Sequence, residues 1–307
     1  MDAIIILIIK YLPVGISMKL AIMADVHGNL PALEAVLGDM EQYKPDAILV
    51  AGDLSGGPDQ DETSRLLKQM GAWMIRGNSD TNVLRFAGKI LPPGWRTSKQ
   101  YSFYRWTYEN LALETISLLE RLPEQQVVHM DGMPAIRLVH GSPRDPSENL
   151  LPGVDKTLIE EILAQMEEPI LVCGHTHIPW MLENGTRLAL NPGAVCGPNN
   201  GVCGAQYALL SWQGECWGVE HRLLPYNINL VRQRFRESGL LDESGAIGRV
   251  FLLTIESGID IAKYFLPYAY ELAEAAGYKD CHVVPDEIWD LADRTFNWDR
   301  FSSREEE

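Results

Sequence analysis

The chain has 307 residues, 46% of them hydrophobic, and a formal net charge of −16. That length holds one large domain with an appendage or two modest domains, and the apolar content is ordinary for a chain with a true core. The acidic balance leaves no broad basic face, so binding to duplex nucleic acid is not expected.

Residues 1–17, MDAIIILIIKYLPVGIS, carry an apolar run of seven residues, too short to span a bilayer. They lack a basic n-region and a cleavage site, so they do not read as a secretory signal. Met18 opens MKLAIMADVHGN, a natural first strand, which makes Met1–Ser17 an extension of doubtful authenticity. An added edge strand or a weak membrane contact is the competing reading.

Met18–Ala24 reads as a strand and Leu30–Gln42 as a helix, with Pro31 in its first turn and Leu33, Val36, Leu37 and Met40 on one face. A strand at Ala47–Ala51, a Gly/Pro loop at Ser55–Pro58, a helix at Glu62–Met70 and a strand at Trp73–Ile75 follow. This βαβαβ run implies a mainly parallel sheet with right-handed crossovers. Residues 85–124 break the rhythm as an aromatic-rich helical insertion (Trp95, Tyr101, Phe103, Tyr104, Trp106, Tyr108) ending in a helix at Asn110–Arg121. Its rings read as core packing first and as a substrate-holding cap second.

Val127–His129 and Ala135–Val139 flank the turn Asp131-Gly132, and Trp180–Leu182 and Arg187–Leu190 flank Asn184-Gly185, two hairpins. Between them lie a helix at Asp155–Met166 and a strand at Ile170–Cys173; Tyr207–Trp212 and Glu215–Glu220 form a further antiparallel pair. The expected architecture is α/β, two sheets packed face to face with helices outside. From residue 227 to 307 the chain turns helical: Asn229–Glu237, a stretch within Gly248–Ala276 that Pro267 should bend or divide, and Asp286–Asp293. Glu256, Asp260 and Lys263 rule out a membrane span there. The tail reads as packing against the core or as a homo-oligomer interface, and the closing Arg304–Glu307 as a solvated end.

Five segments carry chemistry, each after an apolar strand: Asp25-Val-His27, Gly52-Asp53, Gly77-Asn78-Ser79-Asp80, His140-Gly141 and Gly174-His175-Thr176-His177. Any one of them arises by chance; five strand exits in succession do not. Ligands collected from parallel strand ends converge on one point. Two carboxylates, four imidazoles and one amide exceed the needs of a single ion. They suit two first-row divalent ions about 3.5–4 Å apart sharing a carboxylate, an arrangement that hydrolyses phosphate esters. Such ions would leave a cationic pocket inside an acidic exterior.

In this order the segments resemble the calcineurin-like metallophosphoesterase superfamily over residues 18–226, with further similarity in Asn191-Pro-Gly193-Ala194-Val195 and AQYALLSW. They look most like its bacterial and archaeal phosphodiesterase-type branch, whose G-N-x-D segment often lacks a histidine. The resemblance implies the metallophosphoesterase two-sheet sandwich, with Asp25, His27 and His177 on one metal, Asn78, His140 and His175 on the other, and Asp53 bridging. Asp53, Asn78, His140 and His175 would serve catalysis directly. The mixed N/O set without thiolate favours manganese or iron, and nickel, cobalt or zinc also fit. The expected reaction is attack on a small phosphoester by a metal-bridging hydroxide.

Ser79 stands where phosphomonoesterases of the superfamily carry a histidine that assists the leaving group. Serine is a poor acid at neutral pH, which points to diesters with good leaving groups. The alternatives are a serine/threonine- or dinucleoside-polyphosphate-type phosphatase, or a non-catalytic scaffold of the same fold. Asn29 and Asn191 are placed near the substrate by the resemblance, although Asn29 could simply cap a helix and Asn191 form a turn. His129 and His221 take no role by spacing. The five cysteines include no C-x-x-C pair, and Cys196, Cys203 and Cys216 lack zinc-ligand spacing. Cys173 reads as a core residue, and reduced thiols fit a cytoplasmic protein.

Overall fold

Two five-stranded sheets form the centre of the molecule. The computed structural model describes residues 18–88, 91–214 and 216–301; the expectations for residues 1–17 and for Arg304–Glu307 fall outside them. In the first sheet β1 (Met18–Met23), β2 (Ala47–Val50) and β3 (Trp73–Met74) run parallel. The second holds β4 (Gln125–Val128), β5 (Ile136–Val139), β6 (Ile170–Val172), β7 (Trp180–Asn184) and β8 (Arg187–Asn191). The chain then returns to the first sheet through β9 (Ala205–Trp212) and β10 (Trp217–Leu224). The strand orders are β10-β9-β1-β2-β3 and β4-β5-β6-β8-β7, so each sheet has three adjacent parallel strands, β1-β2-β3 and β5-β6-β8.

Alternation along the strands divides their side chains between two layers. Leu20, Ile22, Ala24, Leu49 and Ala51 face Ile136, Leu138, Ile170, Val172, Leu188 and Leu190 across the sandwich. Their neighbours Ala21, Met23, Ile48 and Val50 face outward and are covered as well. Strands buried on both faces must read as unbroken apolar runs, which is why LAIMA and AILVA show no polar alternation.

The cover on the first sheet comes from α1 (Leu30–Met40), α2 (Gln60–Gln69), α3 (Asn78–Leu84), α4 (Ser102–Glu109) and α5 (Leu113–Arg121). On the second sheet α6 (Pro152–Gln165) packs Ile159, Ile162 and Leu163 against Val139, Leu171 and Ala189. Cys173 is buried in that layer, as expected. Asn29 caps α1 by accepting the Ala32 N–H at 3.1 Å.

The C-terminal stretch forms α7 (Ile228–Glu237), α8 (Leu240–Ser244), α9 (Ala246–Ser257), α10 (Ala262–Ala275) and α11 (Asp286–Thr295). The apolar stretch expected to break at Pro267 divides instead at Gly258, whose φ of +69° ends α9 in the left-handed region. A side chain there would lie 2.4 Å from the Val202 carbonyl oxygen. Pro267 sits inside α10 on its exposed side. The carbonyl it leaves unpaired belongs to exposed Lys263, where water can satisfy it. Among the described residues no helix is long and apolar enough to cross a membrane.

Phe265 is the hub of the C-terminal cluster, edge-on to Trp289 at 5.1 Å and to Phe296 at 5.4 Å, and stacked on Trp298 at 4.9 Å. Phe103 and Trp106 of the insertion are buried in the same cluster, so these two rings do pack as core. Phe265→Ala should cost about 3–5 kcal/mol, read as a lowered midpoint in urea unfolding; a loss below about 1 kcal/mol would show that the cluster contributes little.

Candidate metal centre

Both sets of parallel strands point their C-terminal ends at one place. Asp25 and His27 follow β1, Asp53 follows β2 and Asn78 follows β3; His140 follows β5, and His175 and His177 follow β6. The exits are laced together by backbone bonds: Asp25 N–H to Gly52 O (3.1 Å), His27 N–H to Asp53 O (3.0 Å) and Gly174 N–H to His140 O (2.7 Å). Asp25, His27, Asp53, His175 and His177 all have positive φ, between 43° and 68°. Only two other non-glycine residues do so among those described, Lys44 and Asp280. Left-handed backbone turns a side chain sharply out of the strand direction, and it persists only where the surroundings hold it.

Two glycines of the motifs have a steric reason. A β-carbon on Gly77 would lie 2.0 Å from Asp53 Oδ1, and one on Gly174 would lie 2.7 Å from Ala24 Cβ and 3.1 Å from Asp25 Oδ2. Each glycine lets a turn that carries candidate ligands close onto a carboxylate.

Three imidazoles are held by their Nδ1 atoms: His27 on Ser55 O (3.0 Å), His140 on Ala51 O (2.6 Å) and His177 on Gly197 O (2.7 Å). A carbonyl only accepts, so each Nδ1 carries hydrogen and each Nε2 is turned to the centre. There His27 Nε2 lies 3.6 Å and His140 Nε2 3.3 Å from Asp53 Oδ2, and His177 Nε2 lies 3.4 Å from Asp25 Oδ1. His140 Nε2 is also 2.9 Å from Asn78 Oδ1. Two tight groups result, Asp25–His27–His177 and Asp25–Asp53–His140. Asp25 belongs to both, while Asp53 stands between His27 and His140. His175 lies beside them, its ring 5.2 Å from that of His140.

Asp25 and His140 are fully buried, and Asp53 nearly so. Burial opposes charge on Asp53, but His140, His27 and His175 outweigh it and hold the carboxyl well below its usual range. Asp25 is lowered in the same way against burial, by His177 and His140. Burial likewise disfavours a charged His140, and the carboxylates of Asp53 and Asp25 override it, pushing His140 up to about 10. His177 is raised over the same penalty by Asp25, whereas burial and the neighbouring His140 lower His175. Two buried carboxylates therefore draw positive charge to this spot. Asp25 Oδ1 has no hydrogen-bond partner although it is buried. An orphaned carboxylate oxygen among inward-facing imidazole nitrogens fits divalent cations.

The other expected residues divide. Ser79 lines the cavity at the centre with His27, Asp53, Asn78, His175 and His177. Its N–H donates to Asp53 Oδ1 at 2.9 Å. Asn29 and Asn191 do not line it. Asn29 caps α1, and its amide reaches Tyr226 (3.3 Å) and Cys196 (3.4 Å). Asn191 donates to Gly174 O at 2.6 Å and accepts the Gly193 N–H at 2.9 Å, so it braces the turn that carries His175 and His177. His221 bonds the Asn191 carbonyl at 2.8 Å, a satisfied structural histidine.

Two features escaped sequence reasoning. Asp80 is a buried clamp: it accepts the Gly77 N–H (3.0 Å), the Leu54 N–H (3.1 Å), the Ser55 N–H (2.9 Å) and the Ser55 hydroxyl (2.7 Å), fixing the β2 and β3 exits to each other. The four-residue spacing of G-N-S-D was its only trace. The second is that Val250, Phe251, Thr254 and Ile255 of α9 line the cavity, which no motif announced.

Residues 18–215 match the family model described as the calcineurin-like phosphoesterase superfamily domain. An uncharacterized protein of Methanocaldococcus jannaschii is 24% identical over 244 residues, covering 71% of this chain and 94% of its own. A metallophosphoesterase from Sphaerobacter thermophilus is 27% identical with a TM-score of 0.62, over 79% of this chain and 99% of its own. A hypothetical protein from Pyrococcus horikoshii shares the fold at 22% identity and a TM-score of 0.65, over 78% and 98%. With the model spanning most of its length, the chain belongs to the calcineurin-like phosphoesterase superfamily and is a metal-dependent phosphoesterase.

Proposed function

We propose that the chain hydrolyses small phosphodiesters with two divalent ions, manganese favoured, one held by Asp25, His27 and His177 and the other by Asn78, His140 and His175, with Asp53 between them. The observation that carries this reading is the convergence of both sets of parallel strand ends, with three Nδ1-anchored imidazoles turned toward two buried carboxylates. Bound there, the ions would supply Lewis acidity toward a phosphoryl oxygen and lower the pKa of water.

The chain's own residues do the rest. Asp25 and Asp53 neutralise part of the cationic charge, and the carbonyls of Ala51, Ser55 and Gly197 fix the ring orientations. Ser79, on the cavity wall, offers a hydroxyl to a phosphoryl or leaving-group oxygen. Desolvation raises the Tyr104 phenol, whose hydroxyl faces the Asn82 and Ser79 side chains. It stays protonated at neutral pH and can orient the Ser79 hydroxyl. Neither hydroxyl matches an imidazolium as a proton donor, so the leaving group has to depart with little help. That favours diesters of acidic alcohols over monoesters of ordinary ones.

Elemental analysis of the manganese-reconstituted protein should find two ions per chain. Asp53→Ala should lower activity about a hundredfold or more and release metal, and wild-type turnover in that variant would contradict the assignment. Asn191→Ala, which removes a brace and no ligand, should weaken metal retention by about 10–100-fold in a chelator competition. On nitrophenyl substrates the enzyme should prefer the bis-ester to the monoester; the reverse preference would refute the phosphodiesterase reading.

A further inference from the structure

The cavity over the metal centre has two unlike walls. One is the strand-end constellation. The other is α9 and the turn after it, contributing Val250, Phe251, Ile255 and Asp260. Phe251 stacks on buried Phe103 at 3.8 Å with planes 2° apart, and meets His27 edge-on at 6.4 Å. Phe103 covers one face of the ring and fixes it, so Phe251 is a rigid apolar surface beside the ligand set.

The remaining chemistry of the cavity is selective by sign. Among the described residues no lysine or arginine lines it, while Asp260 does. Asp260 is held in place: its Oδ1 accepts the Ala262 N–H at 3.1 Å, and Lys263 engages Oδ2 at 3.3 Å from an exposed position. A substrate with a second anionic group would find no cationic side chain in the cavity and would meet a carboxylate. The volume, about 210 Å³, is small. It falls below the roughly 300–1,000 Å³ of pockets for drug-sized ligands, so a large second substituent would extend beyond these walls.

We infer that this wall sets substrate class: Phe251 receives an uncharged aromatic or apolar substituent of the phosphoester, and Asp260 excludes substituents that carry negative charge. This rests on the phosphoester reading above and deepens it. Phe251 and Asp260 are specificity residues, with no part in bond cleavage.

Phosphonates test it without turnover, because the P–C bond is not hydrolysed. Full-length manganese-loaded protein would be titrated calorimetrically with methylphosphonate, phenylphosphonate and 4-carboxyphenylphosphonate. Wild type should bind phenylphosphonate about tenfold more tightly than methylphosphonate and should disfavour the carboxylated ring. Phe251→Ala should remove the advantage of the ring. Phe251→Leu, which keeps apolar bulk against Phe103, should retain part of it and guards against loss of fold in the smaller variant. Asp260→Asn should narrow the gap between the two aryl ligands by about fivefold. If methylphosphonate binds but the ring brings no gain, or the gap is unchanged in Asp260→Asn, the inference is overturned and the phosphoester reading stands. If none of the three binds, the inference falls, and the phosphodiester reading is judged by the bis-ester assay.

Discussion

Two carboxylates buried at one point, Asp25 and Asp53, are the constraint around which this molecule is organised. Their mutual repulsion and lost hydration would be prohibitive without nearby positive charge. The chain brings four imidazoles to the same place and turns three of them inward by tethering Nδ1 to main-chain carbonyls. Protonated, His140 and His177 can answer that demand. A divalent ion answers it better, since it also meets the stranded Asp25 Oδ1. Metal and protons thus compete for one electrostatic need.

The topology explains how so many ligands reach one spot. A single parallel sheet offers its strand exits along one edge; two such sheets, face to face, bring a second edge over the first. β1, β2 and β3 deliver one half of the constellation, and β5 and β6 deliver the other, with Asn191 at the end of β8 bracing the turn after β6. Each exit must then leave its strand abruptly, hence the left-handed backbone at five of the seven proposed ligand positions. Strain of about 1–3 kcal/mol at each such residue is sustained by the backbone bonds between exits and by the Asp80 clamp.

Much of this was legible in the sequence because it is local. Apolar strands followed at once by Asp, Asn or His gave both the sheet elements and the converging residues, and a strand buried on both faces can only look as LAIMA and AILVA look. What escaped was non-local. Asn29 and Asn191 take the cap and the turn that the sequence offered beside a substrate role; what it could not show was the reach of their amides to Tyr226 and Gly174. Phe251 sits in an apolar helix and is indistinguishable there from a core residue; only the packing of α9 against Phe103 brings it to the cavity. Pro267 shows the converse. Its local preference is real, but the exposed side of α10 makes the missing hydrogen bond cheap.

The helices after Tyr226 are joined to the metal centre by more than proximity. Arg234 of α7 pairs with Asp59, the residue before α2, in the same loop as the Ser55 carbonyl that holds His27. Burial raises the Asp59 carboxyl, and the ion pair with Arg234 works against that rise. At the other end of the site, Gly201 N–H bonds Gly258 O at 2.9 Å and Cys203 Sγ meets Glu256 O at 2.6 Å. That loop begins beside Gly197, whose carbonyl orients His177. The two histidines assigned with Asp25 to one ion are thus each positioned by a loop that the C-terminal helices grip. A displacement of α7 or α9 would be felt in the ring orientation of His27 and His177 before it was felt in the sandwich. The same helices that narrow the cavity also hold two of the seven proposed ligands, His27 and His177, in register, so the cavity wall and the orientation of these rings depend on one set of packing contacts.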